Sequence, residues 1–62
     1  MRRMLRAYTG RTVVVSVGGD TVRGTLQEAG RRALVLAGVE DARGGRIDGV
    51  LVVPYPVVVQ VV

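Results

Sequence analysis

Cysteine and histidine are both absent from this chain of 62 residues. Without thiols or imidazoles it has no disulfide framework and lacks the ligands that zinc prefers. The usual proton shuttle and thiolate nucleophile are missing as well. The five acidic residues are scattered along the sequence. We therefore expect the protein not to be an enzyme, and to hold no metal and no cofactor.

Lysine, phenylalanine and tryptophan are also missing, so all nine basic residues are arginine and the two aromatic residues are tyrosines. Arginine suits phosphate recognition because its guanidinium forms a planar fork of donors. A GC-rich genome would raise the arginine content equally well, and both explanations stay open. The net charge of +4 permits weak, salt-sensitive attraction to nucleic acid but does not establish it.

No apolar run approaches the ~20 residues that span a bilayer. The basic start of the chain is not followed by the apolar segment of a signal peptide, so we expect a location in the cytoplasm or in a virion assembled there. Apolar residues make up 48% of the sequence, although a domain this small buries only about 60% of its unfolded surface. Association with other chains is the stabiliser that remains.

The hydrophobic pattern predicts one domain over residues 1–62, with a short helix followed by five strands. The helix, at 2–9, is indicated by the apolar stripe of Met4, Leu5 and Tyr8. Alternating apolar residues and intervening turns predict the strands, and Gly24 interrupts the inner row of the second, where it would let the strand bend. Short connections favour a bent antiparallel meander. The predicted strands span residues 11–17, 21–28, 33–39, 47–53 and 57–62.

The last predicted strand is apolar on both faces, so in a monomer it would be an exposed β-branched edge prone to aggregation. Pairing with a neighbouring subunit would cover it, and packing under the N-terminal helix is the alternative. The first explanation predicts a subunit interface formed by valines of the last two strands: Val57, Val58, Val59, Val61, Val62, Val50 and Val52.

The order of these segments resembles the Sm/LSm/Hfq superfamily over nearly the whole chain. The first motif is matched by the strand that follows Gly10, the turn at Gly19-Asp20, Gly24-Thr25-Leu26 as the Gly-x-Leu element, and Leu34-Val35-Leu36. The second is matched by residues 47–53 and 58–61. The resemblance implies an all-β fold with a short N-terminal helix and a five-stranded, strongly bent, antiparallel open barrel of the Sm-like (SH3-like) kind. It also implies ring formation, hexameric or similar, and RNA binding.

The sequence departs from that family where the RNA-binding members hold a base. Ala29-Gly30 and Ala33 stand in place of the family's Asp and Asn, and Pro54-Tyr55 replaces an Arg-Gly pair. The fold therefore carries over and the uridine pocket does not. Tyr55 is the one candidate on that loop for stacking on a base.

Arg31 and Arg32 lie on a turn that, by the resemblance, borders the pore of the ring. They are candidates, with Tyr55, for contacts to nucleic acid or to an acidic partner. The alternative is a solvated turn that guards a hydrophobic strand against aggregation.

Two functions follow from the sequence. The first is a structural, ring-forming homo-oligomer that joins a larger protein assembly, for which we expect a bacteriophage virion, as a capsid or tail accessory protein. The second is RNA binding in the manner of Sm and Hfq proteins. Neither involves a membrane.

Overall fold

The computed structural model describes residues 6–62, which form one antiparallel sheet of five strands in the order β4-β3-β2-β1-β5. The all-β prediction is confirmed, and each strand begins and ends within two residues of its predicted bounds. The sheet is unclosed, because β4 and β5 lie at its opposite ends. The strands are β1 Thr12–Val17, β2 Asp20–Ala29, β3 Ala33–Asp41, β4 Arg46–Pro54 and β5 Val58–Val61.

The helix predicted at 2–9 is not seen. Residues 2–5 lie outside the described residues; Arg6 is helical, and residues 7–10 form a turn instead of a continuing helix. The amide and the hydroxyl of Thr9 both donate to the carbonyl of Arg6, at 3.1 and 2.8 Å. This arrangement closes a single turn, because Gly10 follows at φ 89° and takes the backbone out of the helical region.

Two hairpin turns are formed by local features of the chain. Gly18 and Gly19 join β1 to β2 with φ of 54° and 87°, the pair of positive values that a type I′ turn requires. In the β3–β4 loop, Oδ1 of Asp41 accepts hydrogen bonds from the amides of Arg43 and Gly45, each at 2.8 Å. The loop is thereby held by the last residue of β3.

The core lies on one face of the sheet and draws on β1 to β4, because alternate residues of each strand point to the same side. No described helix or second sheet covers this face. The core residues of this face therefore pack against one another within the single sheet. The buried hydrophobic residues are Val13, Val15, Val22, Leu26, Ala29, Leu34, Leu36, Val39 and Val53.

Gly24 lies at the irregular point of β2. The register with β3 shifts between Arg23 and Thr25, and a Cβ on Gly24 would stand 3.1 Å from both the carbonyl oxygen of Ala37 and Cγ2 of Val39. The strand needs glycine here because the neighbouring backbone approaches closely, in line with the predicted bend.

Candidate assembly interface

The two terminal strands of the sheet, β4 and β5, each have one side without a partner strand. β4 pairs with β3 alone and β5 pairs with β1 alone among the described residues. An unpaired edge exposes a row of backbone donors and acceptors that can accept a strand from another chain. These two edges are therefore the candidate interface.

On β4 the free edge is uncharged over residues 50–53. Leu51 and Val53 turn towards the core, whereas Val50 and Val52 are 53% and 59% exposed. The stretch ends at Pro54, which has no amide hydrogen to offer a ladder.

A β-bulge marks the start of this stretch. Ala37 pairs with Val50 and Val39 pairs with Ile47, so Gly38 alone faces the pair Asp48-Gly49. Gly49 takes a φ of 84°. A bulge with a nearby charge interrupts strand pairing, and it limits the usable edge of β4 to the apolar part.

On β5 the free edge is Val58–Val61, a stretch of four residues that matches residues 50–53 of β4 in length. Val58 and Val62 are 72% and 60% exposed. Pro56 precedes the stretch, so a proline stands beside each free edge. Two uncharged edges of equal length can pair without any charged group losing its hydration.

The seven valines predicted as a subunit interface divide by the direction of their side chains. Val50, Val52, Val58 and Val62 are exposed and lie on the outer face of the two edge strands. The other three, Val57, Val59 and Val61, are partly buried against the chain's own core. Only their backbone atoms are therefore available to a neighbouring subunit.

The second candidate site is the turn between β2 and β3. The amide of Gly30 donates to the carbonyl of Ala33 at 2.9 Å and closes the turn. Arg31 and Arg32, within the turn, are exposed. Tyr55 lies against it: its hydroxyl donates to the carbonyl of Gly30 at 2.8 Å, and its amide donates to the carbonyl of Arg32 at 2.9 Å. The structure thus brings the three predicted contact residues together.

Tyr55 is already engaged within the chain. Its side chain is half-buried and packs on the core, so both its ring and its hydroxyl serve the fold. Sequence reasoning placed Tyr55 on the right loop but missed this contact, because the acceptor lies 25 residues away.

Arg6 approaches the same turn. With Arg31 it lines an open cleft of about 630 Å³ that also includes Thr9 and Glu28. The only ion pair among residues 6–62 joins Nε of Arg46 to Oε1 of Glu40 at 3.7 Å, on the exposed side of the β3–β4 hairpin. At the cleft beside the β2–β3 turn, Arg6 and Arg31 supply positive charge, although Glu28 offsets part of it.

Residues 6–62 contain neither a metal site nor a membrane-spanning helix. Within this part of the chain no group of His, Cys, Asp or Glu side chains is placed to hold a metal ion. The same residues include no helix with the length and hydrophobicity to cross a membrane.

Comparisons with protein-family models, with curated proteins and with solved structures found no match.

Proposed function

We propose that this chain is a non-enzymatic subunit that forms a homo-oligomeric ring by pairing the β4 edge of one copy with the β5 edge of the next. One observation carries the proposal: residues 50–53 of β4 and Val58–Val61 of β5 are uncharged stretches on free edges at opposite ends of one sheet. Contacts between two different surfaces of identical subunits form a closed ring when the rotation between neighbours divides a full turn, and an open filament when it does not. Six or a similar number of copies would close the ring.

The exposed valines favour assembly over a monomer. Covering the exposed part of Val52 or Val58 is worth about 1 to 2 kcal/mol each. This gain is large relative to the free energy of unfolding of so small a domain, which is about 5 kcal/mol. Pairing also satisfies the backbone groups of both edges.

The finer fold in this proposal is an open barrel of the Sm-like kind. It is supported by the matches to both family motifs and by a core on one face of the sheet that no described second layer covers. A fold alone does not determine what a protein does, so the assembly rests on the edges rather than on the resemblance.

The ring serves, in this proposal, as a component of a larger protein assembly, such as the capsid or tail of a bacteriophage virion. Its partners are further copies of itself and other structural proteins. Support comes from the small size of the subunit and from the departures at the base-binding positions, Ala29-Gly30, Ala33 and Pro54-Tyr55.

Adding a charge to the β5 edge tests the proposal. Val58→Lys should leave the protein monomeric, because a lysine there would face an apolar neighbour and each copy would keep only its β4 edge. Light scattering coupled to size exclusion measures the mass. Thr21→Lys is the matched control, since it adds the same charge at an exposed position on β2, away from both edges.

The control should keep the wild-type mass. A Val58→Lys protein that is folded by circular dichroism and unchanged in mass would refute pairing through this edge.

RNA binding is the second candidate, favoured by the arginines that gather at the β2–β3 turn. Titration with short uridine-rich RNA and with a scrambled sequence, at two salt concentrations, separates it from the first. Binding that prefers uridine and survives moderate salt would establish it. Binding that ignores sequence and vanishes with salt would leave only electrostatic attraction.

A further inference from the structure

We propose that Tyr55 is a clamp that fixes the angle between the two pairing edges and thereby sets the number of subunits in the ring. The inference rests on the proposed function, because it concerns the closure of that ring. It assigns Tyr55 a positioning role in assembly in place of a contact with a base.

The first argument is the position of Tyr55 in the chain. β4 ends at Pro54 and β5 begins at Val58, so residues 55–57 are the direct connection between the two edge strands. The pairing of β4 with β3 and of β5 with β1 holds each edge strand in the sheet, and this connection is the direct covalent link between them.

The second argument is the number of contacts that hold Tyr55. Its hydroxyl donates to the carbonyl of Gly30 at 2.8 Å, its amide donates to the carbonyl of Arg32 at 2.9 Å, and its ring packs on the core. Among residues 6–62, the bond from the Tyr55 hydroxyl is the only side-chain hydrogen bond that joins distant parts of the chain. The connection is therefore tied to the β2–β3 turn.

The third argument is the geometry of ring closure. In a closed ring, each subunit must rotate the next by a full turn divided by the number of copies. A ring of six needs about 60° between successive subunits and a ring of seven about 51°. The two differ by only about 9°, so a modest loosening of the connection is enough to admit both.

Removing the hydroxyl of Tyr55 tests the clamp, because Tyr55→Phe keeps the aromatic side chain and its packing on the core. Native mass spectrometry of the wild type should show one oligomer. Tyr55→Phe should show at least two oligomers that differ by one subunit, while remaining folded by circular dichroism. Tyr8→Phe is the matched control, because Tyr8 is also half-buried against the core and its hydroxyl has no hydrogen bond to the described residues. It should keep the single wild-type mass.

The outcomes separate this inference from the proposed function. A wild-type ring whose mass is unchanged in Tyr55→Phe overturns the clamp and leaves the ring intact. A monomeric wild type overturns both.

If Tyr55→Phe fails to fold, a glycine inserted between Pro56 and Val57 decides the matter. This insertion keeps the Tyr55 contacts but uncouples them from β5. A mixture of ring sizes would support the clamp, and a single wild-type number of subunits would overturn it.

Discussion

Gly24 illustrates, at the scale of one residue, what the sequence reveals and what it conceals. Its place in the inner row of a strand pattern, between Val22 and Leu26, was enough to predict a bend. The atoms that make glycine necessary, the carbonyl of Ala37 and the side chain of Val39, belong to β3. No local pattern in β2 could have named them.

Replacing Gly24 should damage folding in proportion to the size of the new side chain. A Cβ would lie 3.1 Å from a backbone oxygen that cannot rotate away, and overpacking of this kind costs about 1 to 3 kcal/mol. We expect Gly24→Val to lower the Tm by about 10 °C and Gly24→Ala to lower it less, as measured by thermal denaturation.

Thr25→Val, at the exposed neighbouring position, is the control and should leave the Tm nearly unchanged. A Gly24→Val protein with wild-type stability would contradict the close approach of β3 at this point.

Tyr55 marks the limit of prediction at the same scale. Its position between two prolines predicted a turn, because neither proline can donate to a ladder. The partner of its hydroxyl depends on how the β2–β3 turn comes to lie beside the β4–β5 connection. That is a property of the whole fold, so the sequence supported stacking on a base as readily as a contact within the chain.

At the scale of the strands, alternation of apolar and polar residues predicted all five, with errors of at most two residues. The bulge on β4 was missed. Glycines at 38 and 49 are visible in the sequence, but their positive φ values of 59° and 84° arise from the mismatch between two paired strands. The inference that the last strand is an edge came from its two apolar faces, and its place at one end of the sheet agrees with it.

The direction of pairing gives a sharper test of the two edges than either variant alone. Val52→Lys disables β4 and leaves β5 free, whereas Val58→Lys disables β5 and leaves β4 free. If β4 pairs with β5, each variant alone should be monomeric, and an equimolar mixture should form a dimer of one copy of each and nothing larger. Sedimentation velocity of the separate and mixed proteins measures this.

Pairing of β5 with β5 would give a different result. Val52→Lys would then form dimers without any mixing, and Val58→Lys would stay monomeric in the mixture. That outcome would exclude the head-to-tail ring.

At the scale of the whole molecule, the chain combines a small core with two open, apolar ends of its sheet. Nine hydrophobic residues of the described chain are buried, and its large exposed hydrophobic residues are, apart from Ile47 and Val62, the valines of the two free edge stretches. The sequence predicted the need for a partner from size and composition. Both edges could be located only from the strand order in the structure, because the sequence pointed to the last strand far more clearly than to β4.

Mass in solution, measured by sedimentation equilibrium across a hundredfold dilution, tests the central claim most directly. The account predicts one discrete species at several times the subunit mass of 6.6 kDa, stable at micromolar concentration because each copy uses both edges. A folded species of 6.6 kDa that persists at every concentration would contradict it.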